Sequence, residues 1–187
     1  SHCKTIHSIS QSKLVAGCDL NEQLLETFRE SFGAPPTYTD YEKLLRESDA
    51  EAVVVALPVP LHYPVTMAAL KAGKHVLCEK PPACSVEETA KMVRLANRKG
   101  LALTWGLQRR FLPQMHAARK AIKDGLLGRL YRVEGRYTHA RIAIVFRDAF
   151  RMLKNGGGVF FDIGIHTLDM AWSLMGSPKP VRVVSAN

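Results

Sequence analysis

The chain has 187 residues, 47% of them hydrophobic and 23% charged, which is enough apolar mass for a buried core and the length of one domain or two small ones. Its formal charge of +9 permits attraction to phosphate-bearing partners, but Arg109, Arg110, Arg119, Lys120, Lys123, Arg129, Arg132 and Arg136 are spread over several segments and form neither an aromatic-interleaved stripe nor a nucleic-acid motif, which argues against nucleic acid. No apolar run reaches a membrane span and the start lacks a signal peptide's charged and apolar regions; Cys3, Cys18, Cys78 and Cys84 lack CxxC spacing, so neither a metal site nor a redox dithiol is expected and a reducing, cytoplasmic setting fits.

In chain order, His2 to Ser10 reads as the end of a helix that enters an apolar strand, Lys13 to Asp19. The strand and glycine-rich turn that usually precede such a helix in a dinucleotide-binding unit are not in these residues, and GxGxxG occurs nowhere in the chain. Asn21 is an N-cap for a helix to about Phe32, stopped by Gly33 and Pro35-Pro36. Asp19 admits two readings. It is either the carboxylate that accepts hydrogen bonds from the adenosine ribose about 20 residues beyond a glycine turn, or a cap for the helix that begins near Asn21. Thr39-Asp40 introduces a second amphipathic helix with Tyr41, Leu44 and Leu45 on its apolar side.

Ala52 to Leu57 is a buried strand, Pro64 to Ala72 the crossover helix, and His75 to Cys78 the next strand. Cys18 and Cys78 at strand ends read as small buried hydrophobes. Glu79 and Lys80 then follow immediately, ahead of Pro81 and Pro82, which stiffen the backbone. Open parallel sheets keep their ligands outside the carboxyl ends of the strands, so Lys80 falls at the rim of a crevice; the alternative is a surface lysine at a strand-to-loop corner. Ser85 with Glu88 has the form of a capping box, opening a helix to Gly100, and Leu101 to Trp105 is a further strand.

After Gly106 the pattern changes. A helix from Pro113 to Asp124 closes at Gly125, and Gly128 to Tyr137 alternates with Arg132, Glu134 and Arg136 outward, as a strand with one wet face does. This change places a domain boundary near Gln108. Gly156-Gly157-Gly158 leads into a helix expected from Val159 to Met175, which sets Asp162 and His166 four apart on one face. A carboxylate beside an imidazole suits general acid–base work; the alternative is a helix-terminal Asp and a structural His. Val181 to Ser185 reads as a strand whose sheet partners are expected to follow it.

Four ordered stretches then carry a resemblance: Ala56-Leu-Pro-Val-Pro-Leu-His62, Ala72-Gly-Lys-His-Val-Leu-Cys-Glu-Lys-Pro81, Gly106-Leu-Gln-Arg-Arg-Phe111 and Gly156-Gly-Gly-Val-Phe-Phe-Asp-Ile-Gly-Ile-His-Thr-Leu-Asp169. Together they resemble the Gfo/Idh/MocA family of NAD(P)-dependent oxidoreductases. The resemblance implies an incomplete Rossmann-type parallel-sheet domain over residues 1–107, without its first strand and glycine turn. Part of an α+β substrate and oligomerisation domain with a mostly antiparallel sheet follows over 108–187. It implies that Lys80 bridges substrate hydroxyl and nicotinamide, and that Asp162 and His166 bind substrate and transfer its proton. It implies further that Asp19 holds the ribose, favouring NAD over NADP since no Arg follows it, that Pro58, Leu61 and His62 border the cofactor, as do Glu79 and Lys80 of the Glu-Lys-Pro motif, and that Gln108 and Arg109 approach its nicotinamide end.

The implied substrate is a polyol, inositol, sugar or related alcohol, and the implied assembly a homo-oligomer through the C-terminal sheet. Without the glycine turn, weak NAD binding and self-association are expected of these residues alone. Two other readings stand beside this one: a catalytically silent family fragment that acts only by association, and a basic binding module.

Overall fold

A computed structural model describes residues 2–138 and 160–184. The chain divides into two compact units, Ser1–Gly106 and Leu107–Asn187.

The first unit runs α1 (His2–Ser8), β1 (Gly17–Cys18), α2 (Glu22–Phe32), β2 (Thr37–Tyr38), α3 (Tyr41–Glu47), β3 (Ala52–Val55), α4 (Val59–Lys71), β4 (His75–Cys78), α5 (Val86–Lys99) and β5 (Leu103–Trp105). β1 pairs in parallel with β2, and β3, β4 and β5 form a parallel sheet in that order. Alternating helices and short apolar strands permit little else, because parallel neighbours need a crossover that covers a sheet face. Val55, Val76 and Cys78 of the sheet pack with Leu44 and Leu45 of α3, Val65, Ala69 and Leu70 of α4, and Met92, Leu95 and Ala96 of α5. Ala69, Leu70, Cys78 and Met92 are wholly buried, so the core sits between the sheet and its crossover helices.

The helix ends follow the expected chemistry. The Asn21 side chain accepts from the N–H groups of Gln23 and Leu24, and Gly33 closes α2 at φ 79°, where a side chain would strain the backbone. Ser85 Oγ accepts from Glu88 N at 3.1 Å, but the Glu88 carboxylate reaches Cys84 N at 3.2 Å, so this capping box closes one residue earlier than the standard form.

Several boundaries differ from expectation. Only Gly17 and Cys18 of the stretch 13–19 join a ladder, and their partner β2, hidden in the sequence between two prolines and a capping Asp40, is two residues long. Cys18 is exposed, since β1 belongs to a two-stranded sheet and its last side chain points outward. α4 begins at Val59 rather than Pro64, because Pro60 falls in the first turn, where a missing N–H costs nothing, and Pro64 is carried inside the helix. His62 is therefore a helical residue and not part of a loop.

The second unit holds a 3₁₀ turn, Gln108–Phe111, then α6 (Pro113–Lys123), a π-helical turn Phe160–Gly164 and α7 (Ile165–Leu174). Among the described residues every ladder is parallel, and neither 128–138 nor 181–184 forms a strand. The antiparallel sheet expected here is thus not formed within them: alternation such as Arg132, Glu134, Arg136 prepares a strand, but a ladder exists only where a neighbour supplies the hydrogen bonds. The Gly156-Gly157-Gly158 run and the expected helix start at Val159 lie outside the described residues. No helix among the described residues is long and apolar enough to cross a membrane.

Candidate functional site

In the first unit the register of the sheet builds the site. Val55, Cys78 and Trp105 lie side by side in the last row of β3, β4 and β5. The ladder extends one step further, with Glu79 N donating to Val55 O at 2.9 Å and Gly106 N to Cys78 O at 2.8 Å. Glu79 and Gly106 are therefore neighbours on the carboxyl edge, and half-buried Lys80 leaves the sheet from there through a cis bond to Pro81.

The Glu79 carboxylate is held from two sides. His2 Nε2 donates to Oε1 at 2.7 Å, and Lys80 N donates to Oε2 at 3.1 Å. A Cβ on Gly106 would stand 2.5 Å from Oε2 and 2.8 Å from Cδ, so this glycine makes room for the carboxylate. The bond from His2 also brings the start of α1 to the carboxyl end of β4. Cys78 is fully buried beneath, and burial pushes its thiol up to about 11.

Asp19 lies exposed just past β1, and its Oδ1 accepts from Asn21 N at 2.8 Å. Asn21 itself caps α2, so the reading of Asp19 as the helix cap gives way to a rim carboxylate that orders the turn. Leu57, Pro58 and Leu61 are exposed beyond β3 and on the first turns of α4. His62, expected to border a cofactor, is 1% exposed, with Nδ1 2.7 Å from Pro81 O and Nε2 2.7 Å from Leu57 O. It reaches protein backbone on both sides, because α4 starts early enough to turn the ring inward.

In the second unit the 3₁₀ turn carries exposed Gln108 and half-buried Arg109, whose guanidinium sits 5.0 Å over the Tyr137 ring. Asp162 is half-buried on the π-helical turn, and His166 is 5% exposed on the first turn of α7. The helix changes from π to α between them, so the simple one-face spacing of an α-helix does not apply across the pair; π turns recur at functional positions.

One strong contact was not anticipated. Arg110 donates from Nε to Asp169 Oδ2 at 2.6 Å and from Nη2 to Oδ1 at 2.5 Å, a bidentate pair that ties the 3₁₀ turn to α7. Asp169 is 8% exposed, and its hydrogen bonds hold the guanidinium above its usual range, against a smaller opposing effect of burial and with help from the carboxylate's charge. Arg110 also lies 5.8 Å from the Trp172 ring centre. In sequence Arg110 looks like half of a basic pair and its partner is 59 residues away, so no spacing rule reveals it. The contacts of Glu79 with His2 and Gly106 are hidden for the same reason.

Among the described residues no cluster of three or more His, Cys, Asp or Glu is placed to hold a metal.

Comparison with known proteins adds identity to this geometry. Residues 1–107 match a model described as "Oxidoreductase family, NAD-binding Rossmann fold" and residues 115–187 one described as "GFO/IDH/MocA C-terminal domain". The D-glucoside 3-dehydrogenase of Escherichia coli is 33% identical over 176 residues, 94% of this chain and 50% of that protein. The mouse trans-1,2-dihydrobenzene-1,2-diol dehydrogenase is 33% identical over 171 residues, 90% of this chain and 49% of that protein. A crystal structure of myo-inositol 2-dehydrogenase from Lactobacillus plantarum superposes with a TM-score of 0.85 at 26% identity, covering 94% of this chain and 52% of that one. The chain spans about half the length of these relatives.

Proposed function

This chain belongs to the Gfo/Idh/MocA family of NAD-binding oxidoreductases, and on that premise we propose that it carries the cofactor crevice and the acid–base residues of a dehydrogenase. Its substrate is a secondary alcohol of a sugar, inositol or related diol. The observation that carries the reading is the register of β3, β4 and β5, which brings Lys80 out at the carboxyl edge of parallel strands, where open α/β sheets bind ligands. The similarity to dehydrogenases of a glucoside, a dihydrodiol and an inositol supports the substrate class.

The residues fit a dinucleotide in their chemistry. Asp19 offers an exposed carboxylate at the end of β1 for the ribose hydroxyls, and Leu20 rather than an Arg follows it, which favours NAD. Pro58 and Leu61 supply apolar cover, and Gln108 and Arg109 belong to the nicotinamide end. Hydride exchange with the carbinol carbon is the chemistry that a bound nicotinamide would supply. Lys80 holds the alcohol oxygen, His166 takes the hydroxyl proton and Asp162 holds a neighbouring substrate hydroxyl.

The proposal extends to architecture. Residues 1–107 form the dinucleotide-binding domain and 108–187 part of a substrate domain whose antiparallel sheet mediates homo-oligomers. Leu126, Tyr131, Val181 and Val183 are exposed apolar side chains that such a sheet would cover. Four free thiols support a reducing, cytoplasmic setting.

The test is NAD reduction against a panel of inositols, glucosides and cyclic diols, with a thermal shift to report NAD binding. Reduction with at least one panel member, abolished in Lys80→Ala, is expected. A chain that binds NAD by thermal shift yet reduces none of it with any panel member would refute the function.

A further inference from the structure

His62 is buried to 1% exposure, yet both of its ring nitrogens meet carbonyl oxygens, Nδ1 at 2.7 Å from Pro81 and Nε2 at 2.7 Å from Leu57. Carbonyl oxygens accept and never donate. A neutral imidazole has one N–H and one lone pair, so in either tautomer one contact would press a ring lone pair against a carbonyl lone pair at hydrogen-bond distance. Flipping the ring by 180° puts carbons where the nitrogens stand and loses both contacts. At 2.7 Å both contacts are direct, and buried polar atoms are as a rule paired. A ring with a hydrogen on each nitrogen satisfies both carbonyls at once, and hydrogen bonds from an ionised donor are characteristically short.

We propose that His62 is a doubly protonated, two-point clamp that ties the loop leaving β3 at Leu57 to the turn leaving β4 at Pro81, and is thereby a positioning residue for Lys80. Two carbonyl dipoles aimed at the ring compensate a charge that would otherwise be costly to bury. The clamp spans the two adjacent parallel strands whose carboxyl ends border the crevice. It gives Pro81, the residue after Lys80, a fixed anchor on α4, while Glu79, the residue before Lys80, is anchored by His2. Lys80 is thus held on both sides. Its importance as a positioning device rests on the reading of Lys80 as a cofactor-site residue; the two-donor ring does not.

The test is ¹⁵N NMR of the ring nitrogens in the histidine-labelled chain at neutral pH. Directly bonded hydrogens on both His62 nitrogens, with couplings across the hydrogen bonds to the carbonyl carbons of Leu57 and Pro81, are expected. One protonated nitrogen, or a missing coupling to either carbonyl, would overturn the clamp, and this readout needs neither a variant nor a ligand. His62→Phe keeps the ring shape without the donors and is expected to weaken NAD binding at least about tenfold with the melt retained, while His62→Gln, with two N–H hydrogens, recovers part of it. Unchanged affinity in a folded His62→Phe would overturn the positioning role. Absence of NAD binding in the wild type would count against the proposed function, and the ring spectrum would still decide the clamp.

Discussion

Replacing Gly106 by Ala tests the carboxyl edge of the sheet most directly. Gly106 is outside the left-handed region, so its backbone accepts a side chain, but the new Cβ would lie 2.5 Å from Glu79 Oε2, 2.8 Å from Cδ and 3.0 Å from Oε1. The carboxylate must swing away and lose its bonds to His2 and to Lys80 N. Hydrogen bonds to a charged group contribute about 1.5–3 kcal/mol when buried. With the Glu79 and His2 side chains 26% and 38% exposed, water recovers part of each. A combined loss of about 1.5–3 kcal/mol follows, offset by roughly 0.5 kcal/mol because Ala restricts the unfolded chain. In a Glu79→Ala background the three atoms nearest the Cβ are gone, and the same change should cost much less. The expected coupling in this double-mutant cycle is about 2 kcal/mol. Because the chain has two compact units, one global transition cannot be assumed. The chain has two tryptophans, and Trp172→Phe leaves Trp105, beside Gly106, to report urea unfolding of the first unit by fluorescence. An equal cost of Gly106→Ala with and without the Glu79 side chain would refute the reasoning.

In the second unit, Asp169→Ala strands the Arg110 guanidinium and should cost about 2–4 kcal/mol, less than a fully buried pair because the Arg110 side chain is 31% exposed; far-UV melts of α7 helicity check it. Cys78 should resist a disulfide reagent at pH 8 until denaturant is added, whereas exposed Cys18 and Cys84 react in the folded chain. Its folded value of about 11 against the usual 9.0 means that the unfolded chain holds fewer protons across that window. Stability should therefore fall as pH rises from 9 to 11, and Cys78→Ala should flatten that limb in urea titrations. For alcohol oxidation in a longer version that also carries an upstream strand and glycine turn, His166→Ala should lower turnover by about 10²- to 10⁴-fold with NAD affinity little changed. Asp162→Asn should chiefly raise KM. Steady-state kinetics separate the two, and near-normal turnover in His166→Ala would make that histidine structural.

The alternating order of the first unit was legible because a buried parallel strand and an amphipathic crossover helix each carry a period that short windows reveal. Asn21, Gly33, Ser85 and Gly100 marked helix ends for equally local reasons: a side-chain acceptor at an N-cap and a left-handed φ at a C-cap are needed whatever lies around them. The position of Lys80 at a strand end was visible too, since it follows from Cys78 being the last residue of β4. β2 and the true start of α4 were not visible, as a two-residue strand has no period and Pro60 and Pro64 disguise a helix.

What the sequence alone determined about this protein is therefore the alternating order of most elements in the first unit, the chemistry gathered at the ends of its strands and the family it resembles, all of them properties of neighbours in the chain. The tertiary structure decided what those residues touch. His2 meets Glu79 across 77 positions, Arg110 meets Asp169 across 59 and His62 meets Pro81 across 19. The strand pairing and burial that bring such partners together depend on the whole folded chain, so these contacts leave no local pattern from which they could be read.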